Sequence, residues 1–315
     1  MSERRFFYGW IIVAVSFVNL AVALGTWYSF SVFFIAVLKE FGWSRAAAAG
    51  VFSCFMMVHA LATLLIGHYI DRFGPRLVFP VAACIAASGL LMTSRIQSLG
   101  EFYLWYGILT PVGICAVGFI GHGIILPKWF DEKRGLAIGI AMAGSGFGMQ
   151  LLVPGIQLVI SQFGWRWAYC ILSFVFLAIL VPLNAFLQRK DPEELGQAPD
   201  GVCAGERKGN GDRASGNKAP LRTEPKAGTL EEALKGRAFW LLAAGFLFAP
   251  MAIQGTFIHQ VAYVVDKGFD AARGALMFGL VGIMGSVGKI LFGHLSDRMR
   301  RYEAFALGSG CAFLG

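Results

Sequence analysis

The chain has 315 residues, 57% of them hydrophobic and only 15% charged, with a net charge of +8 and a mean hydropathy of +0.63. Soluble domains carry roughly 25% charged residues, so this composition excludes a water-soluble globule and predicts an all-α, multi-pass membrane protein. The basic residues sit in short turns and one polar segment, not along one solvated face, so no nucleic-acid partner is indicated.

Residues 1–9 are short and basic, with Arg4 and Arg5. Apolar runs of membrane length follow at about 10–38, 45–70, 77–94, 102–127, 134–161 and from 165 to near 187. The first is longer than a signal-peptide core and no small-residue cleavage site follows it, so it is expected to remain as a membrane helix. Residues 189–238 differ in kind, being rich in Gly, Pro and charge, and read mostly as a flexible linker. Near its end, Thr229-Leu230-Glu231-Glu232 has the form of a capping box. Two further runs cover about 239–265 and 272–292, and a ninth opens at Glu303, leaving about a dozen residues before Gly315. The expected domains are a six-helix bundle over 1–188, a linker over 189–238 and an incomplete second bundle over 239–315.

A charged stretch recurs between these runs. Gly67-His68-Tyr69-Ile70-Asp71-Arg72-Phe73-Gly74-Pro75-Arg76 lies between the second and third, and Gly293-His294-Leu295-Ser296-Asp297-Arg298 follows the eighth. Both read as hinges, and the repeat suggests a duplicated architecture. Twenty Lys and Arg fall on the side of the N-terminus, the linker and both motifs, against six on the other, with Lys289 left inside a span. The positive-inside rule then places the N-terminus, the linker and both motifs in the cytoplasm of a cell (plasma or inner) membrane.

With six spans, a linker and a second set repeating the motif, the sequence resembles the major facilitator superfamily. Gly67, Asp71, Arg72, Gly74 and Arg76 match the family's loop between helices 2 and 3, and Gly293, Asp297 and Arg298 match its counterpart between helices 8 and 9. Further stretches are similar to the monocarboxylate transporter and oxalate–formate antiporter branch. They are Tyr8-Gly9-Trp10, Phe41-Gly42-Trp43-Ser44-Arg45, Trp129-Phe130, Lys133-Arg134-Gly135-Leu136-Ala137 and Gly164-Trp165-Arg166-Trp167-Ala168-Tyr169. The resemblance implies a two-bundle, 6+6 fold cut within helix 9. It implies a secondary transporter, not an enzyme, that works by alternating access on small organic anions, with a coupling proton or counter-anion as a further partner. The alternatives are a membrane protein that does not transport, an inactive fragment, or a carrier for another small solute.

No Asp or Glu lies in the middle of a span, so no carboxylate proton relay is visible. Lys289 is the basic residue well inside one. It shares a helical face with Gly279, Gly282, Ser286 and Gly293, at spacings of three and four. Two readings stay open there: an anion-binding lysine, or one snorkelling to the interface. The resemblance implies a basic residue at this point of helix 8, usually Arg. It also implies an acid one turn earlier, where this chain has Gly285, and in some members a lysine in helix 1, where it has none. His259, His122 and His59 lie inside spans, and Asn19, Tyr28 and Gln254 are further candidates to line a cavity. The glycines of the fifth run predict close helix packing. The six cysteines form no C-x-x-C pair, so no metal, disulfide framework or cofactor is expected.

Overall fold

The computed structural model describes residues 7–201 and 236–299, together with 303, 304, 306–308 and 310; within 236–266 the side chains of 238, 242, 243, 246–256 and 258 are not described. The Thr229–Glu232 capping box, Cys203, Arg301, most of the linker and of the ninth run, and the Gln254 side chain lie outside the described residues.

Eight long helices follow in order: α1 (Gly9–Phe41), α2 (Arg45–Phe73), α3 (Pro75–Thr93), α4 (Leu99–Trp129), α5 (Arg134–Phe163), α6 (Trp165–Leu187), α7 (Arg237–Asp266) and α8 (Ala271–Arg298). Seven of them meet both the length and the apolarity needed to cross a membrane, among the described residues, and α7 has the length at 30 residues. Their ends carry local stop signals. Ser44 caps α2 by accepting from the Ala47 N–H at 3.2 Å, and Asp270 caps α8 by accepting from Arg273 at 2.7 Å. Gly74, at φ +74°, ends α2, and Pro75 begins α3, where its missing N–H costs nothing.

The spans are not all straight. α4 is π-helical over Tyr103–Leu109 and α6 over Phe176–Leu180. Each wide turn ends just before a proline, Pro111 or Pro182, which lacks the N–H a regular turn would use. α4 breaks outright at Gly118, where the backbone is extended.

The outer surface carries large exposed apolar side chains, among them Leu64, Leu77, Leu151, Phe174 and Met284. A bilayer solvates these side chains, and the helices satisfy their own backbone groups there. Inside, Phe30, Phe52, Phe55, Phe102, Tyr106 and Tyr169 form an aromatic core joining α1, α2, α4 and α6. α5 is the central pillar, packed along α1 on one side and α8 on the other.

Within the motifs, Gly67 to Arg72 form the last turns of α2, the chain turns at Gly74, and Gly293 to Arg298 form the last turns of α8. Apolar neighbours and intact i→i−4 bonding carry each helix through its charged end. The start of the linker is also folded. Gln197 accepts from the Tyr8 N–H at 3.1 Å, Asp200 accepts from the Asp131 and Glu132 N–H groups at 2.8 and 2.7 Å, and Asp191 pairs with Lys128 at 3.4 Å.

Candidate functional site at the α5–α8 seam

The small residues of α8 let its backbone reach α5. A Cβ on Gly139 would stand 2.6 Å from the Lys289 carbonyl, and one on Gly293 would stand 2.5 Å from the Gly135 carbonyl. Ser286 Oγ donates to the Ala143 carbonyl at 2.7 Å in the same seam. The face bearing Gly279, Gly282, Ser286, Lys289 and Gly293 is thus turned to α5, so it is shielded from lipid.

Lys289 reaches from α8 across this seam. Its Nζ donates to Ser145 Oγ at 2.5 Å and lies 5.9 Å from the centroid of Phe119 on α4. Ser145 is fully buried, and its hydroxyl donates a hydrogen bond to the Met142 carbonyl at 2.8 Å. At about 1.5 Å per residue, Lys289 lies about 13 Å above Arg298 at the end of α8. The ammonium bends into the protein at that depth and does not stretch to the surface. Among the described residues no carboxylate stands within ion-pair distance of it. A cation so placed, hydrogen-bonded only to a neutral hydroxyl, is suited to receiving an anion.

Lys289 lines a groove of about 430 Å³ with Arg134, Ile138, Met142, Ser296 and Asp297. Asp297, its one acid among the described residues, is occupied: its two oxygens accept from the Gly135 and Leu136 N–H groups, each at 2.7 Å. It therefore caps α5, where free N–H groups and the positive helix end favour a carboxylate. Arg134 and Lys289 remain as the groove's cations.

The two motifs behave differently. Asp297 crosses from α8 to α5. In the first motif, Arg76 donates to the Ala185 carbonyl at 2.7 Å, Lys190 donates to the Asp71 carbonyl at 2.9 Å, and the Asp71 carboxylate is 4.0 Å from Lys128. All these partners belong to the first six helices or the residues just after them. The Arg72 guanidinium lies 5.2 Å from the ring of Phe73, and Gly67 lies beside Ile124 of α4.

The remaining sequence candidates do not gather around Lys289. The Asn19 amide is used in the core, where it exchanges two 2.7 Å hydrogen bonds with Asn184 of α6. His122 is fully buried and edge-on to Phe79 at 5.0 Å, inside the first bundle. His59 packs against Trp27 and Phe55. Tyr28 meets Phe257 of α7 and Phe278 of α8, forming an aromatic constriction between the halves. His259 is exposed near Phe34, toward the opposite end of the molecule from Lys289. Sequence reasoning passed over Ser145 and Phe119, which are unremarkable types in apolar runs, and Arg134, which it placed at the start of the fifth run without a binding role. No group of three or more potential metal ligands occurs among the described residues.

Residues 15–315 match the model for the Major Facilitator Superfamily. Monocarboxylate transporter 12-B of Danio rerio is 29% identical over 309 residues, covering 94% of this chain and 64% of that protein. Monocarboxylate transporter 12 of Homo sapiens is 29% identical over 321 residues, covering 94% and 59%. Monocarboxylate transporter 13 of Rattus norvegicus is 26% identical over 296 residues, covering 92% and 61%. The chain thus spans about three-fifths of the length of these relatives. A bacterial homolog of the human lysosomal transporter Spinster, solved inward-facing and unoccupied, superposes with a TM-score of 0.64 at 17% identity. That match covers 94% of this chain and 64% of the other, and it shows a shared fold.

Proposed function

From the premise that the chain belongs to the major facilitator superfamily, we propose that it serves a secondary transporter that moves small organic anions, mono- or dicarboxylates, by alternating access. The first bundle (1–188) and the second (from 239) rock about the α5–α8 seam, and the N-terminus, linker and both motifs face the cytoplasm. The relatives it resembles, monocarboxylate transporters, favour the same substrate class.

One observation carries the reading: Lys289 is a cation inside the α5–α8 seam with no carboxylate in ion-pair distance among the described residues, beside a groove whose acid Asp297 is engaged on α5. A carboxylate arriving there replaces Ser145 on the ammonium. Lysine acts as a point charge, so it tolerates acids of different geometry better than a bidentate arginine would. With Gly285 where related proton-coupled carriers place an acid, exchange against a counter-anion is favoured over proton symport by that route.

The test is a thermal-shift screen of organic acids on the purified protein, followed by uptake of the hits in proteoliposomes. Lys289→Ala is expected to weaken the best hit about tenfold or more, the scale of a lost charge-assisted hydrogen bond. An unchanged affinity would remove Lys289 from the site.

A further inference from the structure

At the opposite end of the molecule from the motifs, a second contact joins the halves. Arg45, the first residue of α2, holds Asp266, the last residue of α7, in a two-pronged pair: Nη1 donates to Oδ2 at 2.9 Å and Nη2 to Oδ1 at 3.0 Å. Both side chains are at least half exposed, at 67% and 50%. Each charge also sits at the wrong end of its own helix. A cation opposes the positive start of α2, and an anion opposes the negative end of α7. Neither helix gains from its charge, so the pair's advantage exists only while α2 and α7 are together.

The pair borders a cleft of about 290 Å³ between α1, α2 and α7, walled by Phe34, Leu38, Trp43 and Val265 and lined also by Lys39. Glu40, next to Lys39 in sequence, is taken by Arg166 and by the Trp165 indole at 2.6 Å. Lys39 itself has no carboxylate within ion-pair distance among the described residues. Lys267, beside Asp266, points to the Tyr263 ring at 5.4 Å. Among the described residues the cleft therefore holds two cations against one acid, and that acid belongs to the other half.

We propose that Arg45 and Lys39 form a carboxylate-receiving site on this face, and that an entering organic anion parts α2 from α7 by taking the place of Asp266 on Arg45. The incoming carboxylate meets Arg45, Lys39 and the positive start of α2 together, a better setting for an anion than Asp266 has at the end of α7. The released Asp266 returns to water. The pair is exposed enough to be weak and screened by salt, which suits a contact broken in every cycle. This inference rests on the organic-anion reading above.

The test uses the purified full-length chain in detergent, with native cysteines replaced and Ala262→Cys as a reporter, since Ala262 is 8% exposed in the cleft wall. Asp266→Asn and Arg45→Ala are each expected to raise the rate of maleimide labelling by about two- to fivefold, the shift a pair of this exposure can carry. The double exchange Arg45→Asp with Asp266→Arg should return it to the parental rate, separating a lost contact from a misfolded protein. In the parent, sodium pyruvate should raise labelling saturably where sodium chloride of equal ionic strength does not, and Lys39→Gln should move that response to higher concentration. Parental labelling in Asp266→Asn, or a pyruvate response no greater than that to chloride, overturns the inference. If the response is absent while Lys289-dependent uptake persists, this site alone falls. If the response is present without uptake, the transport reading falls and this site stands.

Discussion

At the residue scale, the two copies of one motif do different work. Asp297 closes the N-terminus of α5 with both carboxylate oxygens, whereas the Asp71 carboxylate stands 4.0 Å from Lys128. Asp297→Asn keeps the shape but loses the charge, and its amide nitrogen cannot accept. The loss is expected at about 0.5–2 kcal/mol, the range of a lost helix cap, enough to shift the balance between open and closed motif faces severalfold. Labelling of a cysteine introduced near Gly139 would report it. Asp71→Asn and Arg72→Ala are expected to lower uptake more than expression, measured as transport per unit of protein in the membrane; normal uptake would leave the first motif a packing device. The unusual place of Lys289 was legible in the sequence, because a lone charge in an apolar run is conspicuous. Its partner was not, because Ser145 lies 144 residues away in another helix and serine in a membrane helix is commonplace.

At the element scale, α5 and α8 approach through glycines, so side chains added there must push the helices apart. A Cβ on Gly146 would fall within van der Waals distance of the Gly282 carbonyl, against backbone that cannot yield. Gly146→Val is expected to destabilise the folded protein by about 1–3 kcal/mol, the range for overpacking, seen as a lowered midpoint of thermal unfolding in detergent. Gly155, with nothing within 4 Å of its would-be Cβ, should tolerate alanine and serves as the control. The three- and four-residue spacing of the α8 face was readable because the helical period places those residues in one row. That the row faces α5 was not readable, since a period names a face but not its neighbour. Where the helices end within the motifs was unreadable for a related reason. Charge marks where a helix leaves the hydrocarbon, whereas the helix ends only where Gly74 turns the backbone to φ +74°.

At the scale of the whole molecule, the described helices are tied at both ends, by Asp297 to α5 at one face and by Arg45 to Asp266 at the other, with Tyr28, Phe257 and Phe278 narrowing the space between. Sidedness is testable directly. With twenty basic residues on one side against six on the other, an epitope at the N-terminus and one inserted after Gly211 are expected to be detected only in permeabilised cells. Detection of either in intact cells would reverse the orientation.

The sequence by itself determined the order of the long apolar helices among the described residues, the duplicated motif and the family. Those features follow from the solvent: a bilayer demands long apolar helices and pushes charge to their ends, so they are written locally along the chain. Tertiary structure alone decided which polar groups are free. It showed Asn19 spent on Asn184, His122 sealed beside Phe79, Asp297 spent on the start of α5, and Lys289 left with only a hydroxyl. Whether a group is satisfied depends on atoms within about 3 Å, contributed by helices more than a hundred residues apart, and no local pattern encodes that distance.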